Sequence, residues 1–173
     1  MKLLIHDLEE REFKSLFPNM PQDVKIISDN GKIAHCIGCF GCWIKTPGQC
    51  VMKDGYENMG LLMSKADEVI VISRCVYGTY SPFVKNILDR SISYILPYFR
   101  KIGHKTHHKP RYKQQFHLSA YFYGEEISDE EKMTAQKMVK VNGTNFNAKG
   151  TSVAFVHSKK ELKTKMSLEG RFA

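Results

Sequence analysis

Four of the five cysteines, Cys36, Cys39, Cys42 and Cys50, follow one another as C-x2-C-x2-C-x7-C, with Gly38 and Gly41 between the first three and Pro47-Gly48 before the last. Thiolates at intervals of three on a glycine-containing loop can converge on one centre, and a [4Fe-4S] cube accepts four cysteine ligands. The spacing departs from the bacterial ferredoxin run, in which the fourth cysteine follows after three residues and precedes a proline. Zinc ordinarily takes two separated cysteine pairs. Three readings therefore stand: a cluster, four reduced thiols that support a loop, and a zinc site or redox disulfide. Cys75 lies apart and reads as a loop packing residue rather than a ligand.

The second chemistry-bearing segment is basic. The 173 residues carry a formal net charge of +8, unevenly spread. Residues 1–99 balance to zero, 100–117 hold six Lys/Arg and no acid, and 151–173 add an excess of three. His104, His107 and His108 in this stretch could bind a metal, but adjacent histidines in a Lys-rich segment are more often solvated. Tyr98, Phe99 and Tyr112 are sparse aromatic interleaving for nucleic acid, and no recognised binding motif accompanies them. No G-x-G-x-x-G, P-loop or G-x-S-x-G occurs, which removes the main support for a dinucleotide fold, an NTPase or a serine hydrolase. No general acid or base stands out.

Strands and helices must position these segments. Apolar runs of strand length occur at Lys2 to His6, Asp23 to Ser28, Glu68 to Ser73, Phe116 to Tyr123 and Thr151 to His157. Helical patterns separate them: 7–17, 55–65, a helix opened by Ser81-Pro82 and running to about Ile95, and one opened by the capping box Ser128-Asp129-Glu130-Glu131. Five strands with helix-length connections predict a parallel, doubly wound sheet in an α/β/α sandwich, because parallel neighbours need crossovers. Ligands in such sheets bind beyond the carboxyl ends of the strands. The segments placed there are 7–11, the cysteine-rich loop 36–54, 74–81 and 123–128. The expected organisation is one domain over 1–157, with the basic stretch 100–114 as an irregular loop insertion and 158–173 as a polar tail. With no apolar run near the ~20 residues of a membrane span and no basic n-region at its start, the chain reads as cytoplasmic.

Residues 36–50, CIGCFGCWIKTPGQC, followed by Lys53-Asp54, resemble the cysteine segment of the flavodoxin-like NADPH-dependent FMN reductase family, closest to its iron-sulfur flavoprotein branch. The likeness continues through Glu68 to Arg90, where Tyr77-Gly78, Ser81-Pro82 and Lys85 to Arg90 (KNILDR) look like the flavin-ring loop and its helix. The resemblance implies a five-stranded flavodoxin-like sheet, FMN at its carboxyl edge, NAD(P)H or a ferredoxin-like donor, and a small-molecule or protein electron acceptor. It also implies a homodimer and a [4Fe-4S] cluster on Cys36, Cys39, Cys42 and Cys50. Cys75, Val76, Tyr77, Gly78, Thr79, Tyr80 and Ser81 would follow the flavin, with Tyr123 and Gly124 at its other edge. The expected function is that of a flavin-dependent oxidoreductase or electron-transfer flavoprotein. The alternatives are a flavin-free electron carrier or partner-binding protein of the same fold, and an anion or nucleic-acid module.

One departure from the family pattern stands out. Where relatives place a Ser/Gly-rich loop with a basic residue around the FMN phosphate, this chain has His6-Asp7-Leu8-Glu9-Glu10-Arg11. Like charges about 4 Å apart repel by roughly 1–4 kcal/mol in partly solvated surroundings. Low FMN occupancy is expected, with Lys105, Lys109 and Arg111 as a replacement anion anchor.

Overall fold

The computed structural model describes residues 1–171. Five parallel strands, β1 (Lys2–His6), β2 (Val24–Ile27), β3 (Glu68–Arg74), β6 (His117–Tyr123) and β7 (Gly150–Val156), form one sheet in the order β2-β1-β3-β6-β7. Each lies within or one residue beyond the apolar runs read from the sequence. β3 is the central strand because it can be buried on both faces: Val69, Ile70, Val71 and Ile72 are all fully buried. Its even and odd residues face different cores. Val69 and Val71 join the cluster under α3 (Met59–Ser64), α4 (Pro82–Arg90) and α5 (Asp129–Asn145). Ile70 and Ile72 join Phe13 of α1 (Glu10–Leu16) and Leu162 and Met166 of α6 (Lys159–Leu168).

Helix α5 begins where its capping box predicts: Ser128 Oγ accepts from the Glu131 N–H, and the Glu131 carboxylate accepts from the Ser128 N–H. Two segments differ from expectation. The basic stretch is not an irregular loop but an antiparallel hairpin, β4 (Ile95–Ile102) and β5 (Lys105–Pro110), turning at Gly103 with a φ of 58°. Helix α4 accordingly ends at Arg90, and a 3-10 turn over Ser91–Tyr94 leads directly into β4. The expected polar tail from 158 carries α6, which buries Leu162 and Met166 in the second core; residues 172–173 of that tail lie outside the described residues.

The hairpin sits toward the amino end of the sheet. Tyr94 donates to the Gln114 carbonyl, Arg111 Nε to the Ser93 carbonyl, and Arg100 to Asn147, just before β7. Lys105, Lys109 and Arg111, expected to stand in as a phosphate anchor, line neither cavity at the carboxyl edge.

Candidate functional site

The cysteine segment leaves the carboxyl end of β2 and then runs along the flank of α4, rather than capping the sheet edge. Asn86 and Arg90 of that helix hold it. The Cys36 N–H donates to Asn86 Oδ1, and Asn86 Nδ2 donates to the Ala34 carbonyl. Arg90, 1% exposed, is paired bidentately with Asp54 and also donates to the carbonyls of Ala34 and Met52. Burial alone would raise the Asp54 pKa, but the Arg90 hydrogen bonds and the N–H groups of Ala34 and Tyr56 overcome it and hold the carboxyl at about 2. Trp43, in the short helix α2 (Gly41–Ile44), donates its indole N–H to the carbonyls of Ile92 and Ile95 and stacks on Phe40.

Backbone geometry turns the four thiols toward one place. Gly38 and Phe40 both adopt positive φ (65° and 55°), reversing the chain between Cys36, Cys39 and Cys42. All four cysteines are free thiols, and together with Ile37, Phe40, Met52, Ile92 and Arg90 they line one small cavity of about 40 Å³. Cys42 is buried, which raises its pKa, and the negative charge of its neighbours Cys50, Cys36 and Cys39 raises it further. No group of three or more His, Cys, Asp or Glu is drawn in to single-ion distance among the described residues. The quartet lines one cavity without closing on a single ion, and four cysteines are the donor set that a [4Fe-4S] cube takes. Arg90 backs the cavity, with Cys50 beside its guanidinium. The hairpin histidines do not form a site: His107 engages Asn145 and His108 the Leu96 carbonyl, while His104 stays at the exposed turn.

At the carboxyl edge two cavities flank Tyr123 and Arg74. One of about 930 Å³ lies over the ends of β1, β2 and β3, and includes His6, Asp7, Glu9, Glu10, Phe13, Ser81 and Phe83. The other, of about 900 Å³, lies over β3, β6 and β7, and includes Cys75, Tyr123, Gly124, Glu131 and Lys159. Of the residues placed along a flavin by resemblance, Ser81, Cys75, Tyr123 and Gly124 thus border these cavities. Val76 to Thr79 form a tight turn closed by reciprocal backbone hydrogen bonds. At its tip Tyr77 is 88% exposed, and Gly78 has a φ of 72°. Gly78 makes its close approach to α5, where an added Cβ would lie 2.8 Å from the Glu131 carbonyl. Tyr80 is buried and stacked on Phe122, and burial pushes its pKa up to about 12.

Asp7 was visible in the sequence only as an unwelcome charge. Its carboxylate ties the edge together, accepting from the Arg74 N–H and from the Tyr123 hydroxyl. His6 beside it is 1% exposed and stacked face to face on Phe13, with centroids 4.1 Å apart. Burial lowers its pKa to about 4, so it is neutral at pH 7. The β1 to α1 connection does not fit a phosphate dianion. It offers carboxylates where the anion would sit, α1 has only seven residues, and Lys14 is paired with Glu10.

No protein-family model matches the chain. It is 32% identical over 88 residues to an iron-sulfur flavoprotein of Archaeoglobus fulgidus, a match covering 51% of this chain and 36% of that relative's length. Its backbone superposes on general stress protein 14 of Treponema denticola, solved in complex with FMN, with a TM-score of 0.57 at 9% identity, covering 96% and 91% of the two chains. The NADPH-quinone reductase of P. pentosaceus gives a TM-score of 0.57 at 11% identity, covering 97% and 94%. This chain has the flavodoxin-like fold. The sequence match to an iron-sulfur flavoprotein and the flavodoxin-like architecture are both consistent with the resemblance read from the cysteine segment, and the chain spans about a third of that relative's length.

Proposed function

We propose that the protein is a flavin-dependent oxidoreductase or electron-transfer flavoprotein whose Cys36, Cys39, Cys42 and Cys50 hold a [4Fe-4S] cluster. The observation that carries this reading is the convergence of the four thiols on one apolar cavity backed by a buried guanidinium, in a chain of flavodoxin-like fold. Such a cluster supplies one-electron transfer. The chain's own residues supply the rest. Asn86 and Arg90 fix the loop, and Trp43 clamps it to the turn after α4. The Arg90 charge offsets that of the thiolates, and Cys42 lies on the buried side of the cavity while Cys36 and Cys39 lie on its exposed side. Because Cys42 is held protonated by burial, cluster assembly must release its proton, and assembly is favoured at higher pH.

The cavities flanking Tyr123 at the carboxyl edge are the place for a flavin, where this fold binds its ligands. NAD(P)H as donor, a small molecule or redox protein as acceptor, a homodimeric assembly and a cytoplasmic setting complete the proposal. No helix among the described residues is long and apolar enough to cross a membrane.

Anaerobic purification or reconstitution followed by iron and sulfide analysis tests the reading. About four irons per chain are expected, lost in Cys39→Ser and Cys42→Ser. Iron-free protein after reconstitution would leave the cysteines as structural thiols.

A further inference from the structure

The cavity over β1, β2 and β3 has the volume of a small-molecule site and the wrong charge for a phosphate. The carboxylates of Asp7, Glu9, Glu10 and Asp29 line it, against two cations, Lys14 and Arg74. Lys14 is already committed to Glu10. Asp7 takes up the backbone N–H of Arg74, not its guanidinium, and the Tyr123 hydroxyl, donors that an anion at this position would otherwise use.

A second observation points to a ligand. His6 Nδ1 and Ser81 Oγ both belong to residues of this cavity that are at least nine-tenths buried; Ser81 Oγ has no hydrogen-bond partner, and the His6 imidazole has only the Leu8 backbone, outside normal hydrogen-bond geometry. Ser81 precedes α4 as its N-cap residue, yet its hydroxyl caps nothing. Buried polar groups left without partners are costly, and two of them facing one cavity are groups that a bound ligand would complete. The remaining wall is apolar or aromatic, with Leu8, Phe13, Phe17, Pro82 and Phe83.

We propose that this cavity takes a phosphate-free flavin, with riboflavin preferred over FMN, its ribityl hydroxyls meeting Ser81 and His6. The proposal rests on the flavoprotein reading above and changes its ligand. The acidic β1 to α1 segment is then a discriminating element. It tolerates an uncharged hydroxylated chain and rejects the dianion that the same ring carries in FMN.

The test is equilibrium dialysis of the full chain against riboflavin and against FMN, at low and at physiological salt. Riboflavin is expected to bind at least about ten-fold more tightly than FMN, with a gap that narrows as salt rises. Glu9→Gln/Glu10→Gln, two surface changes that leave the fold alone, are expected to narrow the gap several-fold by improving FMN binding. Asp7→Asn should narrow it further. Ser81→Ala and His6→Phe are expected to weaken riboflavin several-fold. Equal or tighter FMN binding, binding of neither flavin, or riboflavin binding indifferent to Ser81 and His6 would each overturn the inference. Iron analysis of the same samples separates the two proposals. FMN bound as tightly as riboflavin sinks this one alone, four irons with no flavin bound sinks it together with the flavin part of the proposed function, and riboflavin bound to iron-free protein leaves it standing without the cluster.

Discussion

The cysteine cavity and the β1-edge cavity differ in how they treat buried polar groups. Around the cysteines the one buried cation, Arg90, meets two carboxylate oxygens and two carbonyls, and Nε is its only donor without a partner of normal geometry. At the β1 edge a buried imidazole and a buried hydroxyl are left incomplete. The first arrangement is a scaffold satisfied at all but that one donor, and it presents thiols. The second is a pocket whose polar wall lacks its counterpart, and binding there would supply it.

The largest effect should come from undoing the satisfied side. Arg90→Ala leaves Asp54 without its cation and two carbonyls without their donors, and is expected to destabilise the chain by about 3–5 kcal/mol in urea unfolding. A loss below about 1 kcal/mol would show that the cysteine loop does not depend on this pair.

The incomplete side should reveal itself through pH. His6 has a folded pKa of about 4 against an ordinary value of 6.5, so between those values the unfolded chain binds more protons. Stability is intact above about pH 6.5 and falls as the pH drops toward 4, by up to about 3 kcal/mol. His6→Phe, which keeps the ring against Phe13, is expected to flatten that limb of a pH series of unfolding midpoints. An unchanged slope would assign the loss to groups other than His6, and not to Asp54, whose contribution disappears only below pH 4.

The turn between β3 and α4 sharpens the contrast more modestly. Gly78→Ala forces a side chain into positive φ and against α5, with an expected cost of about 1–2 kcal/mol in the ligand-free protein. A neutral substitution that only weakens flavin binding would instead make Gly78 a ligand contact.

These effects also show what the sequence could and could not reveal. The sheet was legible because its strands are apolar on both faces, so that even the order of burial along Glu68 to Arg74 follows from composition. The hairpin was not. Its strands are polar and two-stranded, Pro97 reads as a stop, and their anchors are Trp43 against His108 and the side chain of Asn147, partners distant in sequence. Gly103 between Ile102 and Lys105 was the available signal. Helix α6 had one as well, in Ser158-Lys159-Lys160-Glu161 followed by Leu162 and Met166 four residues apart, but its lysines masked a stripe only two residues wide. At the site, cysteine spacing announced the quartet, whereas the Arg90 and Asp54 pair, 36 residues apart, had no local pattern. Asp7 showed its charge but not that Arg74 and Tyr123 make use of it.

The smallest change asks the sharpest question of the β1 edge. A serine at an N-cap normally accepts a backbone N–H, and its removal costs about 1 kcal/mol. Here Ser81 Oγ makes no such bond, while the Ser81 N–H is held separately by Ser73 Oγ. Ser81→Ala should therefore leave ligand-free stability within about 0.5 kcal/mol, since it deletes a buried hydroxyl that satisfies nothing. A loss near 1 kcal/mol in thermal unfolding would mean that the hydroxyl caps α4 in solution, and the incomplete wall of this cavity would then reduce to His6 alone.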